Sequence, residues 1–129
     1  MTDKLQYRRL PNFSKEQIAE LLENLDHEPS QETLLLPLSI GEYSIDWKYA
    51  QDICLKLADH PSKAVRANSC LGLAYIARNH RKLEKHLTKP ILMRELREND
   101  EFKWRIIDAI EDINIFMKWH LAHKPLNRP

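Results

Sequence analysis

The stretch Leu57-Ala-Asp-His-Pro-Ser-Lys-Ala-Val-Arg-Ala-Asn-Ser-Cys-Leu-Gly-Leu-Ala-Tyr-Ile76 decides the fold, because the chain repeats it. From Leu57 to Leu96, an offset of 39 residues, the pattern returns as Leu96-Arg-Glu-Asn-Asp-Glu-Phe-Lys-Trp-Arg-Ile-Ile-Asp-Ala-Ile-Glu-Asp-Ile-Asn-Ile115. Asp59 meets Glu98, Arg66 meets Arg105, Leu71 meets Ile110 and Ile76 meets Ile115. A period near 40 is the mark of paired-helix repeats, whose units bury their apolar faces only by stacking on one another. Such stacks present extended surfaces, so the repeat points to binding before chemistry.

Local signals around the repeat are helical. Ser14 with Gln17 forms a capping-box pattern, and Ile18, Leu21, Leu22 and Leu25 follow on one face of a first helix ending near Asn24. Residues 31–38 are apolar but contain Pro37, which predicts a brief or kinked helix, and 40–44 reads as a loop around Gly41. Asp46 or Ser44 opens a helix with Trp47, Ala50, Ile53, Cys54 and Leu57 on one side; His60-Pro61 ends it. Ser62 caps the next, to about Asn79. Its many small apolar residues suit a central helix, and Gly72 in mid-helix implies close backbone approach by a neighbouring helix or a partner. A short helix is predicted over 83–87. Another opens at Thr88-Lys-Pro with Pro90 in its first turn, and the last spans 101–121 after a capping Asp100. Residues 122–129 form a tail.

Only Gly41 and Gly72 are glycines, which leaves little material for tight hairpins or phosphate-cradling loops. Twenty Lys and Arg nearly balance nineteen Asp and Glu, so the chain as a whole lacks the basic excess of a nucleic-acid binder. No apolar run approaches the ~18 residues of a membrane span, and no membrane partner is expected. Met1-Thr-Asp-Lys leads into no apolar stretch, so a signal peptide is not expected. Cys54 and Cys70 are then expected as buried, reduced thiols of a cytoplasmic protein, one disulfide being the alternative.

The segments Asp59-His-Pro-Ser-Lys-Ala-Val-Arg-Ala and Leu71-Gly-Leu-Ala-Tyr-Ile, with Pro90-Ile-Leu opening the next unit, resemble the HEAT-repeat family. The resemblance covers residues 47–119 and implies an all-α fold, a short HEAT-like solenoid of antiparallel helix pairs. Residues 1–45 would be degenerate N-terminal helices or a cap, and 46–121 two repeats of one domain. HEAT units mostly bind other macromolecules. Small HEAT-like proteins similar to this one are common among bacterial immunity proteins, which neutralise a cognate toxin by covering its active site. An adaptor subunit of a larger complex is the alternative, followed by a HEAT-like cofactor lyase or a nucleic-acid binder.

The last helix supplies the candidate surface. At 100° per residue Phe102, Ile106, Ala109, Ile110, Ile113 and Met117 form the core stripe. The opposite side carries Trp104, Asp108, Glu111, Asp112, Ile115 and Trp119, where a solvated helix ordinarily shows Lys, Glu and Gln. Aromatic anchors around carboxylates fit a basic protein partner, such as a basic toxin domain. Alternatively, the tryptophans pack under a neighbouring helix and the acids pair locally. Asn68, Tyr75 and Asn79 flank the equivalent strip of the preceding repeat and join the candidate surface. No catalytic set, metal site, cofactor or small-molecule substrate is expected. Asp108 and Asp112 lack a third ligand at useful spacing, and His120 with His123 makes only a two-histidine pair. Arg78, Arg81, Lys82, Lys85 and Lys89 form a basic run that reads as an exposed face, with phosphate contact as the alternative.

Overall fold

A computed structural model describes residues 9–26 and 28–122; His27, His123 and the predicted tail from 123 onward lie outside the described residues. The described residues form six α-helices, in order α1 (Lys15–Glu23), α2 (Gln31–Tyr43), α3 (Trp47–Leu57), α4 (Lys63–His80), α5 (Lys85–Glu98) and α6 (Lys103–Met117). Among the described residues there is no strand, and the regular structure is all helical. No helix of the described residues is long and apolar enough to cross a membrane.

The helices begin where their caps are written. Ser14 and Gln17 close a reciprocal capping box on α1, with Ser14 N donating to Gln17 Oε1 at 2.8 Å and Gln17 N to Ser14 Oγ at 3.1 Å. Asp46 takes the first amides of α3, and Ser62 takes Val65 N of α4. Helix α4 is the centre of the molecule. It makes its most extensive contacts with α2 and α6, one on each side; α3 packs on α2 and α4, and α5 on α3, α4 and α6. Val65, Ala67, Cys70, Leu73, Ile76 and Ala77 of α4 are all fully buried, as a helix with neighbours on several sides requires. Cys54 and Cys70 are free and buried, and burial pushes both thiols far above their ordinary range.

Three boundaries differ from the sequence expectations. Helix α2 runs unbroken through Pro37 and Gly41 to Tyr43, where a kink and a loop were expected. Pro37 forfeits one backbone hydrogen bond, but Leu36, Pro37, Ile40 and Gly41 are buried, and that burial outweighs the loss. Gly41 and Gly72 meet at the α2–α4 crossing. A Cβ on Gly41 would stand 2.6 Å from Gly72 O, and one on Gly72 would stand 2.5 Å from Pro37 O. Helix α5 absorbs the expected 83–87 helix and its successor into one element, with Pro90 in its second turn rather than its first. Helix α6 starts at Lys103 and stops at Met117, shorter than 101–121. The side chain of Asn99, not Asp100, takes the Phe102 amide at 3.3 Å. Lys118 then adopts the left-handed conformation (φ 58°), and the Asn114 side chain fastens the following turn at both Leu121 N and Leu121 O.

Polar side chains tie α5 to the helices before it. Glu95, 1% exposed, accepts from Arg66 Nε at 3.1 Å, Arg94 Nε at 2.9 Å and Asn99 Nδ2 at 3.0 Å. Arg94 reaches Asp59 and the Ala58 carbonyl; Asn99 reaches Lys63 O. At the other end of α5, buried Gln51 of α3 exchanges bonds of 2.7 Å with the backbone and side chain of Glu84.

Candidate interaction surface

The core side of α6 is as the wheel requires: Ile106, Ala109, Ile110 and Ile113 are fully buried, and Phe102 and Met117 pack against the core. Four turns of amphipathic helix therefore present the other side outward by geometry alone. On it Trp104 is 64% exposed and Ile115 68% exposed, with Asp108 and Asp112 exposed and Glu111 half-buried between them. Soluble domains show single exposed apolar residues commonly, but two large ones among three carboxylates on one helix face make an uncommon surface.

Trp119 does not belong to this face. The helix ends two residues before it, and the left-handed turn at Lys118 carries it back against the core, where the Lys85 ammonium lies 5.4 Å from its ring. The wheel placed it on the stripe only by extending α6 past its true end. Asn68 also turns inward: it is 8% exposed, donates to Leu34 O at 2.8 Å and accepts from Arg105 at 2.8 Å. Its role is to join α2, α4 and α6. Arg105, with its guanidinium over the Phe102 ring and its pKa lowered by burial, is the α6 end of that joint.

Tyr75 and Asn79 remain at the surface of α4, on the side that faces α2. Tyr75 is half-buried under the guanidinium of Arg78, 4.7 Å from the ring centroid. Asn79 donates to Gly41 O at 3.1 Å. Two residues not anticipated complete the surface: Arg78 pairs with Glu42 of α2 at 2.5 Å. The sequence signal available was Tyr75 and Arg78 at i and i+3, neighbours on one helix face. Burial, with the Asp108 carboxylate beside it, holds the Asp112 carboxyl above the usual range, and Arg78 pulls the other way. Burial likewise raises Tyr75, with Arg78 opposing and Glu42 and Asp112 reinforcing. The shared perturbers put Glu42, Tyr75, Arg78 and Asp112 within one electrostatic neighbourhood spanning α2, α4 and α6. A shallow hollow of about 330 Å³ lined by Glu101, Phe102, Trp104, Arg105 and Asp108 opens at the start of α6.

The raised Asp112 pKa carries a stability consequence of definite sign. An acid whose folded pKa lies above its unfolded value stabilises the fold while protonated. That contribution is lost as pH rises from the ordinary carboxylate value, about 4, through the raised one. Ionised Asp112 is thus a burden at neutral pH. Asp112→Asn is expected to leave thermal stability at pH 7 equal to or above that of the parent, and to flatten stability against pH across that window. A clear fall in melting temperature at pH 7 would contradict it.

Among the described residues no group of three or more His, Cys, Asp or Glu is placed to hold a metal ion. No family model, curated protein or solved structure matches this chain.

Proposed function

We propose that the six helices are three stacked pairs, α1/α2, α3/α4 and α5/α6, of a short HEAT-like solenoid in one domain, and that the face shared by α2, α4 and α6 binds a basic protein. The order of contacts supports the stacking: α4 sits between α2 and α6, and α3 beside α5. One observation carries the binding reading, the exposure of Trp104 and Ile115 among Asp108, Glu111 and Asp112 on α6. Holding Asp112 in its ionised form costs folding energy, and a cationic partner would recover it. The specific partner proposed is a basic toxin domain whose active site this face covers, which makes the protein a non-catalytic cytoplasmic immunity protein.

The test is capture from the source organism's lysate by the immobilised protein, compared with a Trp104→Ala/Asp108→Lys variant, together with growth rescue on co-expression of the captured partner. The expected result is a single partner of basic charge, bound by the parent, lost by the variant, and toxic when expressed without it. Capture by both forms equally overturns the surface; a captured partner that is not toxic overturns the immunity role while leaving the surface standing. For the single change Trp104→Ala, binding should weaken by about 2 kcal/mol or more, and by more than folding stability falls, because Trp104 is 64% exposed. Calorimetric titration and a denaturant curve on the same preparation separate the two effects.

A further inference from the structure

The near-zero net charge conceals a segregation of charge: the basic run of 81–89 is joined at one end of the molecule by Lys118. The end of the molecule where α2, α4 and α6 finish is one continuous surface. His80 Nε2 lies 3.0 Å from Ser44 O, Lys48 pairs with Glu84 at 2.6 Å, Arg81 lies over the Phe116 ring at 4.6 Å and Lys85 over Trp119 at 5.4 Å. Arg81, Lys82, Lys85, Lys89 and Lys118 all stand exposed on this end, and none has an ion-pair partner among the described residues. The nearby carboxylates are engaged. Glu84 holds Lys48 and Gln51, Glu42 holds Arg78, and Asp46 caps α3.

Helix stability does not account for these cations. Arg81 and Lys118 stand at the C-termini of α4 and α6, where a positive side chain complements the helix dipole. Yet both occupy left-handed backbone (φ 56° and 58°), where glycine is the default residue. Lys85 and Lys89 lie in the first two turns of α5, the end at which the dipole opposes positive charge, and no acidic residue occupies that first turn.

We propose that this end binds the phosphodiester backbone of a nucleic acid without reading its bases. Five lysine and arginine heads on two adjoining loops and one helix match a line of phosphates. The rings of Phe116 and Trp119 are half-buried beneath Arg81 and Lys85, so they bed the cations and are not offered to bases for stacking. A membrane surface is the poorer fit, because an inserting side chain is wanted among the cations. Leu83 is buried, Leu87 is only 38% exposed, and Ile45, 95% exposed beside Ser44, is one apolar side chain where a membrane-lying face carries a row of them. The inference is independent of the α6 protein-binding face.

The experiment is fluorescence anisotropy of the full chain with labelled 20-nucleotide single-stranded DNA, single-stranded RNA and duplex DNA, each in two base compositions. Binding is expected at about 50 mM salt, indifferent to base composition. Log affinity should fall against log salt with a slope of about −2 to −3.5 on the single strands, the value for three to five phosphate contacts. The DNA and RNA arms identify which polymer is preferred. Lys82→Glu/Lys89→Glu/Lys118→Glu should weaken binding about tenfold or more. Lys56→Glu/Lys63→Glu/Lys103→Glu, the same change in net charge away from this end, should alter it by no more than about twofold. Circular dichroism melts confirm that both variants fold. Failure of the parent to bind any of the probes at that salt overturns the proposal. So does equal loss in the two triple variants, or preference for phosphatidylserine-containing vesicles over all the oligonucleotides.

Discussion

Gly72→Ala is expected to destabilise the protein by about 3 kcal/mol, although the same change in an ordinary mid-helix position would stabilise by about 1 kcal/mol. The sign is what identifies the cause. A Cβ at position 72 would stand 2.5 Å from the carbonyl oxygen of Pro37 and 2.7 Å from the sulfur of Cys54. The first of these is backbone in the middle of a buried helix, so α2 as a whole must retreat from α4. Retreat loosens the most extensive helix–helix contact of the chain and opens space around Leu36, Ile40 and Cys54, all of them buried. Gly41→Ala acts on the same crossing from the other side, since its Cβ would meet Gly72 O at 2.6 Å and Tyr75 Cβ at 2.9 Å. Once one Cβ has parted the helices, the second finds room, so the double variant should lose less than the sum of the single losses. Urea denaturation of the three variants measures both effects. A stabilised Gly72→Ala would show that the helices do not cross this closely.

The second large effect lies at Glu95. Its carboxylate is almost wholly buried and serves Arg66 from α4, Arg94 from its own helix and Asn99 at the helix end. Glu95→Ala leaves two guanidinium groups facing a cavity, with side chains only 19% and 29% exposed, and breaking a buried pair from one side typically costs 3–5 kcal/mol. About 3 kcal/mol or more is expected, the lower end because both arginines retain carbonyl partners: Arg66 at His60 and Pro61, Arg94 at Ala58. Glu95→Gln keeps the shape and the acceptor oxygen but not the charge, and should cost roughly half as much. Chemical denaturation monitored through helix content measures both. If Glu95→Ala and Glu95→Gln lose the same amount, the charge alone is what Glu95 supplies; if Glu95→Gln loses nothing, volume is.

These two sites differ in how far the sequence foretold them. Gly72 is conspicuous as a mid-helix glycine, and close approach follows from it directly; that the approaching backbone is Pro37 and Gly41 does not. The same two residues, taken locally, read as a kink and a loop. Their local cost is real, about 1 kcal/mol for a glycine and more for a proline, but α2 recovers it by burial against α4, an element some thirty residues away. Glu95 carried no local signal. On a helix wheel it is one more carboxylate, and its partner Arg66 lies 29 positions earlier.

The α6 face divides the same way. Periodicity alone put Ile106, Ala109, Ile110 and Ile113 in the core and Trp104, Asp108 and Ile115 on the opposite side, because side-chain direction on a helix is set by residues three and four apart; that no neighbouring helix buries Trp104 is a tertiary fact. Trp119 escaped that logic at the helix end. Lys118 closes α6 in left-handed backbone, and Asn114 holds the turn seven residues on; neither lysine at C-cap nor asparagine in the last turn announces this in advance. Asn68 escaped it too, because its two partners, Leu34 O and Arg105, come from different helices.

What the sequence determined by itself is therefore what short-range energies decide: the all-helical class, the caps at Ser14 and Ser62, and the inner and outer sides of α6. Each depends on groups within about four residues of one another, whose separation is fixed by covalent geometry before the chain folds. Tertiary structure alone decided which backbone Gly72 meets, which arginines Glu95 neutralises, that Asn68 is a joint and not a contact surface, and that the cations of 81–89 and 118 share one end of the molecule. Apart from the adjacent Arg94–Glu95 pair, those pairings close loops of roughly thirty to forty residues. Their free energy comes from packing that exists only when α2, α4, α5 and α6 are in place together, so no window of sequence contains it.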